Sequence, residues 1–194
     1  MAAAQMEVPE QCFAESDIAG RYHMGRNGTT PLWFAEPDLL PDMFFHRTYE
    51  FGHRNRFEVH YIFFSDENCT VPLVSAIWEG RYWLLEPHSK LLHARLANYR
   101  LDRVKMAILD PRFLQETLDT GPDHWTLGLF RDISETGFAS LGPLFEPLRR
   151  EHTDYDIVYL HDGVLKTGLR TTAMMLSAAG RPSAFQDALP AIRE

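Results

Sequence analysis

The residues from Phe44 to Phe64 alternate between two faces, with one break. Phe45, Arg47, Tyr49 and Phe51 share one parity, and Phe44, His46, Thr48 and Glu50 share the other. After Gly52 to Asn55 the alternation resumes: Phe57, Val59, Tyr61 and Phe63 oppose Glu58, His60, Ile62 and Phe64. Period-two alternation of aromatic and β-branched residues, interrupted by Gly and Asn, predicts an antiparallel hairpin. Both faces carry large apolar groups, but one also carries a carboxylate and imidazoles. That mixture suits a curved sheet with one face in a core and the other lining a cavity.

Further strands are predicted over Ile18 to Met24, Val74 to Leu85, Leu91 to Val104, Trp125 to Ile133, Tyr155 to His161 and Val164 to Thr171. In the second of these, Trp78, Gly80, Tyr82 and Leu84 oppose Ile77, Glu79, Arg81 and Trp83, and Gly80 marks a bulge or bend. The Leu91 to Val104 segment also fits helical spacing at Leu92, Leu96 and Tyr99, but strand is preferred beside strand neighbours. Asp110 and Pro111 open a short helix, as N-cap and as a first residue whose missing donor is harmless, and Gly121 ends it. His161-Asp162-Gly163 reads as a tight hairpin turn. Residues 1–17 form a lead-in, and residues 18–190 a single domain. Repeated strands with one helix predict a mainly β protein: an antiparallel, lipocalin-like open barrel or strongly curved sheet.

Composition narrows the class without changing the fold. At 194 residues, 45% hydrophobic and 24% charged, the chain can build a substantial core. A formal net charge of -8 argues against nucleic acid as a partner, which needs a basic surface. No basic run points to a membrane, and no stretch approaches the ~20 apolar residues of a membrane-spanning helix. The first residues lack the basic start and apolar core of a secretory signal, so a cytoplasmic location is expected. Cys12 and Cys69 then read as reduced thiols rather than as a disulfide.

Candidate chemistry concentrates on the mixed face. Glu58 and His60 lie together, with His46, Thr48 and Glu50 beside them across the hairpin, and a carboxylate next to an imidazole can tune a general base. The competing reading is a solvated outer face, which charged residues usually occupy. Tyr155 can donate a hydrogen bond to a developing oxyanion, against the plainer role of a structural tyrosine beside solvated Asp154 and Asp156. The catalytic candidates are therefore Glu58, His60, His46 and Tyr155. Glu50, Trp78, Tyr82, Trp83, Tyr99 and Trp125 are the candidate ligand-binding residues, because aromatic rings hold an apolar molecule by area burial and stacking. His46, His60, His93 and His161 lack a tight ligand spacing, so no metal is expected. No dinucleotide or phosphate-binding glycine motif occurs, so no cofactor is expected.

An ordered set of short pieces resembles the adenomatosis polyposis coli down-regulated (APCDD) domain family. These pieces are Gly20-x-Tyr22, Arg47 to Phe51, Asn55 to Asp66 with Cys69 and Pro72, Gly80 to Trp83, Trp125 to Asp132, Leu141-Gly142, His152 to Asp156 and Gly180 to Pro182. The resemblance implies an open antiparallel barrel, similar in outline to lipocalins, that holds lipid-like ligands. Known members are secreted, often carry two such domains, are disulfide-bonded, and antagonise Wnt signalling by binding its lipid. This sequence has one such domain and lacks the family's cysteines after the first strand and after Asp132, while Cys69 stands at a family cysteine position.

Two functions follow as expectations. One is a cofactor-independent cyclase or isomerase that folds an apolar biosynthetic intermediate inside the barrel. The other is a carrier or sensor of a lipid, isoprenoid or pigment. In either case Glu58 and His60 are expected to point into the cavity, with Phe57, Val59, Tyr61 and Phe63 packed outside it.

Overall fold

The computed structural model describes residues 18–24, 44–66, 68–120, 125–138, 141, 145–148, 153–169, 178–185 and 190–194. The lead-in 1–17, Cys12, Gly121 and His152 lie outside these residues. Among these residues, nine strands form one antiparallel sheet: β1 (Gly20–Met24), β2 (Phe44–Gly52), β3 (Arg56–Phe64), β4 (Pro72–Pro87), β5 (Ala94–Ile108), β6 (Arg131–Asp132), β7 (Thr153–His161), β8 (Val164–Thr167) and β9 (Ala191–Arg193). The order is β4-β3-β2-β1-β9-β8-β7-β5, and β4 pairs with β5, so eight strands close into a barrel. The two-residue β6 attaches to the distal part of β5 at Lys105 and Met106, beyond the reach of β7.

The hairpin read from the sequence forms as β2 and β3, in register from Phe44↔Phe64 to Gly52↔Arg56. Arg54 and Asn55 both turn through left-handed backbone. The segment that could have been helix is β5, held by long ladders to β4 and β7. Asp162 and Gly163 make the β7–β8 turn with positive φ at both positions. The β4–β5 register slips between Glu79 and Gly80, which is the bulge that Gly80 announced. A Cβ at Gly80 would lie 2.0 Å from the Arg100 carbonyl oxygen, so only glycine fits that crossing. The helix α1 (Pro111–Thr120) starts where predicted, with Asp110 Oδ1 accepting from the Arg112 and Phe113 amides at 2.7 and 2.9 Å.

The strands differ from expectation in two places. Only Arg131 and Asp132 of the Trp125 to Ile133 segment are strand; the chain turns at Gly128 (φ +74°), whose N–H bonds to Ile108 O instead of joining a ladder. The other change is β9, which the sequence did not reveal. Three residues are too few for an alternation pattern, yet they supply the closing contact: Tyr22↔Arg193 and His23↔Ile192 on one side, Val164↔Ile192 and Leu165↔Ala191 on the other.

The core is the inside of the barrel. Residues directly opposite in the ladders project to the same face, and the buried set follows them around the wall: Phe45–Phe63–Val74–Ile108, Arg47–Tyr61–Ala76–Met106 and Tyr49–Val59–Trp78–Val104. Toward the turn end come Phe51–Phe57–Gly80–Leu101 and Tyr82–Tyr99–Asp154. Phe145, from the segment after β6, inserts against Phe63 and Trp78 with ring centroids at 5.7 and 5.4 Å.

This placement reverses the expected facing of β3. Phe57, Val59, Tyr61 and Phe63 point inward, while Glu58 and His60 stand on the outer wall. The physical reason is area. An eight-stranded barrel fills its interior with side chains, so the wholly apolar face goes there and the face with charges goes outward.

Candidate ligand-binding lumen

The inner wall is almost continuous aromatic surface, contributed by alternate residues of the long strands. Tyr49 and Phe51 stack at 6.1 Å, Tyr61 and Phe63 at 5.4 Å, and Trp78 meets Tyr61 edge-on at 5.2 Å. Phe51 packs edge-on against Tyr82 at 5.1 Å, and Phe57 against Tyr99 at 5.0 Å. Edge-to-face and offset geometries of this kind put ring edges against ring faces, where their quadrupoles attract.

Within this surface sits one guanidinium. Arg47, 3% exposed, occupies the β2 position between Phe45 and Tyr49. Its Nη1 donates to the Tyr61 hydroxyl at 3.3 Å, and its Cζ lies 4.7 Å from the Tyr49 ring centroid and 5.8 Å from that of Tyr61. Two carboxylates also face inward, from β7. Asp154 is 6% exposed and Asp156 fully buried, the latter accepting at Oδ1 from the Ile157 and Gly168 amides at 2.8 and 2.9 Å. Alternation had separated these aspartates from Tyr155 correctly, but they occupy the core side and are not the solvated pair of the plainer reading.

Val59 is less buried than its neighbours on this wall. It lies at mid-height, bonded into continuous ladders between Tyr49 and Trp78, and its side chain faces inward with theirs. It is nonetheless only half-buried. Its remaining accessible surface therefore opens on the interior, next to the Arg47 level.

The residues singled out from sequence divide into three groups. Trp78, Tyr82 and Tyr99 line the lumen together. Trp125 packs among core residues with its ring 5.4 Å from Phe138 and the Arg131 guanidinium 5.3 Å away. Glu50, Glu58, His46, His60, Trp83 and Tyr155 are on the outer wall. Trp83 is 38% exposed beneath the Arg100 guanidinium. The Tyr155 ring lies under Arg181, whose Nη1 donates to Asp156 O at 2.6 Å and whose Nη2 donates to Asn98 Oδ1 at 2.8 Å. The sequence reading passed over Arg47, Tyr49, Tyr61 and the inward aspartates. A signal for Arg47 was present: a charged residue set in a run of aromatic residues of one parity.

The outer wall has its own electrostatics. Glu50, Glu58 and Glu79 align across β2, β3 and β4. Burial, then the Glu79 and Glu50 carboxylates, push the Glu58 carboxyl above its ordinary range, with Lys105 and Arg21 acting the other way. His60 Nε2 lies 2.7 Å from Ser75 Oγ, and burial followed by Arg21 holds its imidazole below the usual value. The His46 ring packs on Phe64 at 4.9 Å, and His93 stacks on His161 at 4.0 Å. Among the described residues no three His, Cys, Asp or Glu side chains gather as a metal site. Cys69 is a buried thiol in a turn where Asp66 accepts from the Thr70 and Val71 amides. No helix among the described residues is long and apolar enough to cross a membrane.

Fold and lumen together define a class: a closed antiparallel barrel of lipocalin-like outline with an aromatic interior. Residues 41–121, which contain β2 to β5 and α1, match the family described as adenomatosis polyposis coli down-regulated 1. The matched segment contributes most of the lumen wall, Arg47 and Trp78 included. The other pieces that suggested the family, from Gly20-x-Tyr22 to Gly180-Arg181-Pro182, lie outside the match. No curated protein matches the chain.

Proposed function

We propose that the barrel encloses one apolar small molecule. The observation that carries this reading is the inner face at Val59: an inward, mid-wall valine with accessible surface, ringed by Tyr49, Tyr61 and Trp78. A barrel of eight strands is wide enough for filling side chains or for one small ligand, and aromatic walls hold such a ligand by burial and stacking. The matched segment supports the same reading, since it forms this wall. Native mass spectrometry of freshly purified protein tests it. A co-purified mass, lost on denaturation and recovered in an organic extract, is the supporting outcome. Failure of a panel of apolar compounds to bind the purified protein contradicts it.

Turnover of the enclosed molecule, as a cofactor-independent cyclisation or isomerisation, is favoured by a further observation. Asp154 faces the lumen in register with Tyr99 and Tyr82, which places a carboxylate and two phenols along one level of an apolar chamber. Such a set can move a proton on a folded substrate without a cofactor. Incubating the protein with its extracted ligand and following the product by chromatography tests this. A change of mass or retention that Asp154→Asn abolishes supports catalysis, and unchanged ligand supports carriage alone.

A further inference from the structure

We propose that the outer wall around Arg56, Arg81 and Arg100 is a docking surface for an anionic lipid membrane. The three arginines come from β3, β4 and β5 and form one row, Arg56 opposite Arg81 and Arg81 opposite Arg100. Neighbouring strands lie about 5 Å apart, so the row spans about 10 Å of wall. Like charges directly opposite across strands destabilise a sheet. Asp102 offsets part of this cost by binding Arg100 at 2.9 Å. Among the described residues, Arg56 and Arg81 are exposed and have no ion-pair, hydrogen-bond or ring partner. Arg54, exposed in the β2–β3 turn, adds a further cation beside Arg56. The carboxylates Glu58 and Glu79 lie one level along the same face, but other cations serve them. Lys105 binds Glu79, Arg103 lies 4.0 Å from it, and Lys105 and Arg21 are the cations that act on Glu58.

Shape and chemistry select the occupant. The alternate residues Phe57 and Tyr82 are buried in the core, so the arginines stand on the outside of the wall and not in a pocket. A row of cations on an exposed wall meets an extended surface, whereas small ligands take concave sites. Guanidinia bind phosphate oxygens in bidentate pairs. Trp83, 38% exposed, adjoins the row on β4, with the Arg100 guanidinium 5.8 Å from its ring. An indole beside cations suits the boundary between lipid headgroups and acyl chains. The net charge of -8 fixes the orientation: this wall faces the leaflet, and charges beyond a Debye length of about 8 Å are screened. The sequence shows no basic run because cross-strand register, not chain order, brings Arg56, Arg81 and Arg100 together.

The test is flotation of the full chain with vesicles of phosphatidylcholine alone and with vesicles containing one-third phosphatidylserine. The expected result is at least ten-fold stronger association with the phosphatidylserine vesicles, weakened by added salt. The double variant Arg56→Gln/Arg81→Gln should lose at least ten-fold of that association. It should melt no lower than the parent, because both side chains are exposed and their removal relieves cross-strand repulsion. Trp83→Ala should weaken association by a smaller factor. Equal association with the two vesicle types, or none, overturns the proposal, and so does a double variant that binds phosphatidylserine as the parent does. Retention on immobilised polyglutamate without vesicle association assigns the row to an acidic protein partner and likewise overturns it. None of these results bears on a ligand in the lumen, which native mass spectrometry decides separately.

Discussion

Glu58 and Glu79 stand directly opposite each other across the β3–β4 ladder, on the outside of the barrel. Like charges facing each other across strands destabilise a sheet, and Glu50 flanks Glu58 on its other side. Glu79 has the ammonium of Lys105 as a partner, and Arg103 Nη1 lies 4.0 Å from its other oxygen. Burial and these neighbouring carboxylates push the Glu58 carboxyl up.

That shift fixes the sign of a pH effect. With its folded pKa above the unfolded value, Glu58 keeps a proton in the folded state over a window where the unfolded chain has released it. Stability therefore falls as pH rises from the unfolded value through the folded one. Glu58→Gln should remove this fall. Denaturant melts should show the variant more stable than the parent at pH 7 by ~0.5 kcal/mol, a modest figure because the site is half-exposed and screened, with the difference vanishing near pH 4. A variant less stable than its parent at pH 7 would show that Glu58 is held by a favourable partner.

Gly80 gives a packing prediction. A methyl group there would meet the Arg100 carbonyl oxygen at 2.0 Å and the Phe57 ring at 2.9 Å, and the carbonyl belongs to the β5 backbone. Gly80→Ala should cost about 2–3 kcal/mol, read as a lower thermal midpoint. An unchanged midpoint would mean that the β4–β5 bulge relaxes freely.

The seam at β9 gives a dynamic one. β1 and β8 each meet β9 through two register pairs, whereas β4 and β5 pair along most of their lengths. Local opening follows the number of protecting contacts. Hydrogen exchange followed by mass spectrometry should find peptides at 20–24 and 190–194 exchanging well before those from 74–84 and 97–108. Uniform protection would place the weakest point elsewhere.

Much of this fold is legible in the sequence, because long strands write their period. The β2–β3 hairpin, β4, β5, β7 and the Asp110-capped helix all carry enough residues for alternation or capping to register. β9 is too short for that, and the Trp125 to Phe130 segment shows alternating apolar residues that end in a turn at Gly128 rather than a ladder. The site was legible in its residues more than in its facing. Alternation sorted Glu58 and His60 from Phe57 and Tyr61 correctly, but period two cannot say which face closes on itself. Barrel closure decides that, through the β1–β9 and β5–β7 pairings, whose strands lie far apart in sequence. Arg47 stood out only as a charge among aromatic residues of one parity, and its meaning depends on the lumen around it.

The central claim, a ligand inside the barrel beside Val59, is tested most directly by filling that space. Val59→Trp should occupy the lumen between Tyr49 and Trp78 while leaving the ladders intact, as judged by far-ultraviolet circular dichroism. Parinaric acid titration of this variant is the measurement. Loss of binding by at least ten-fold, with the β spectrum retained, is the result the account predicts; undiminished binding by the folded variant would place the ligand outside the lumen and contradict it.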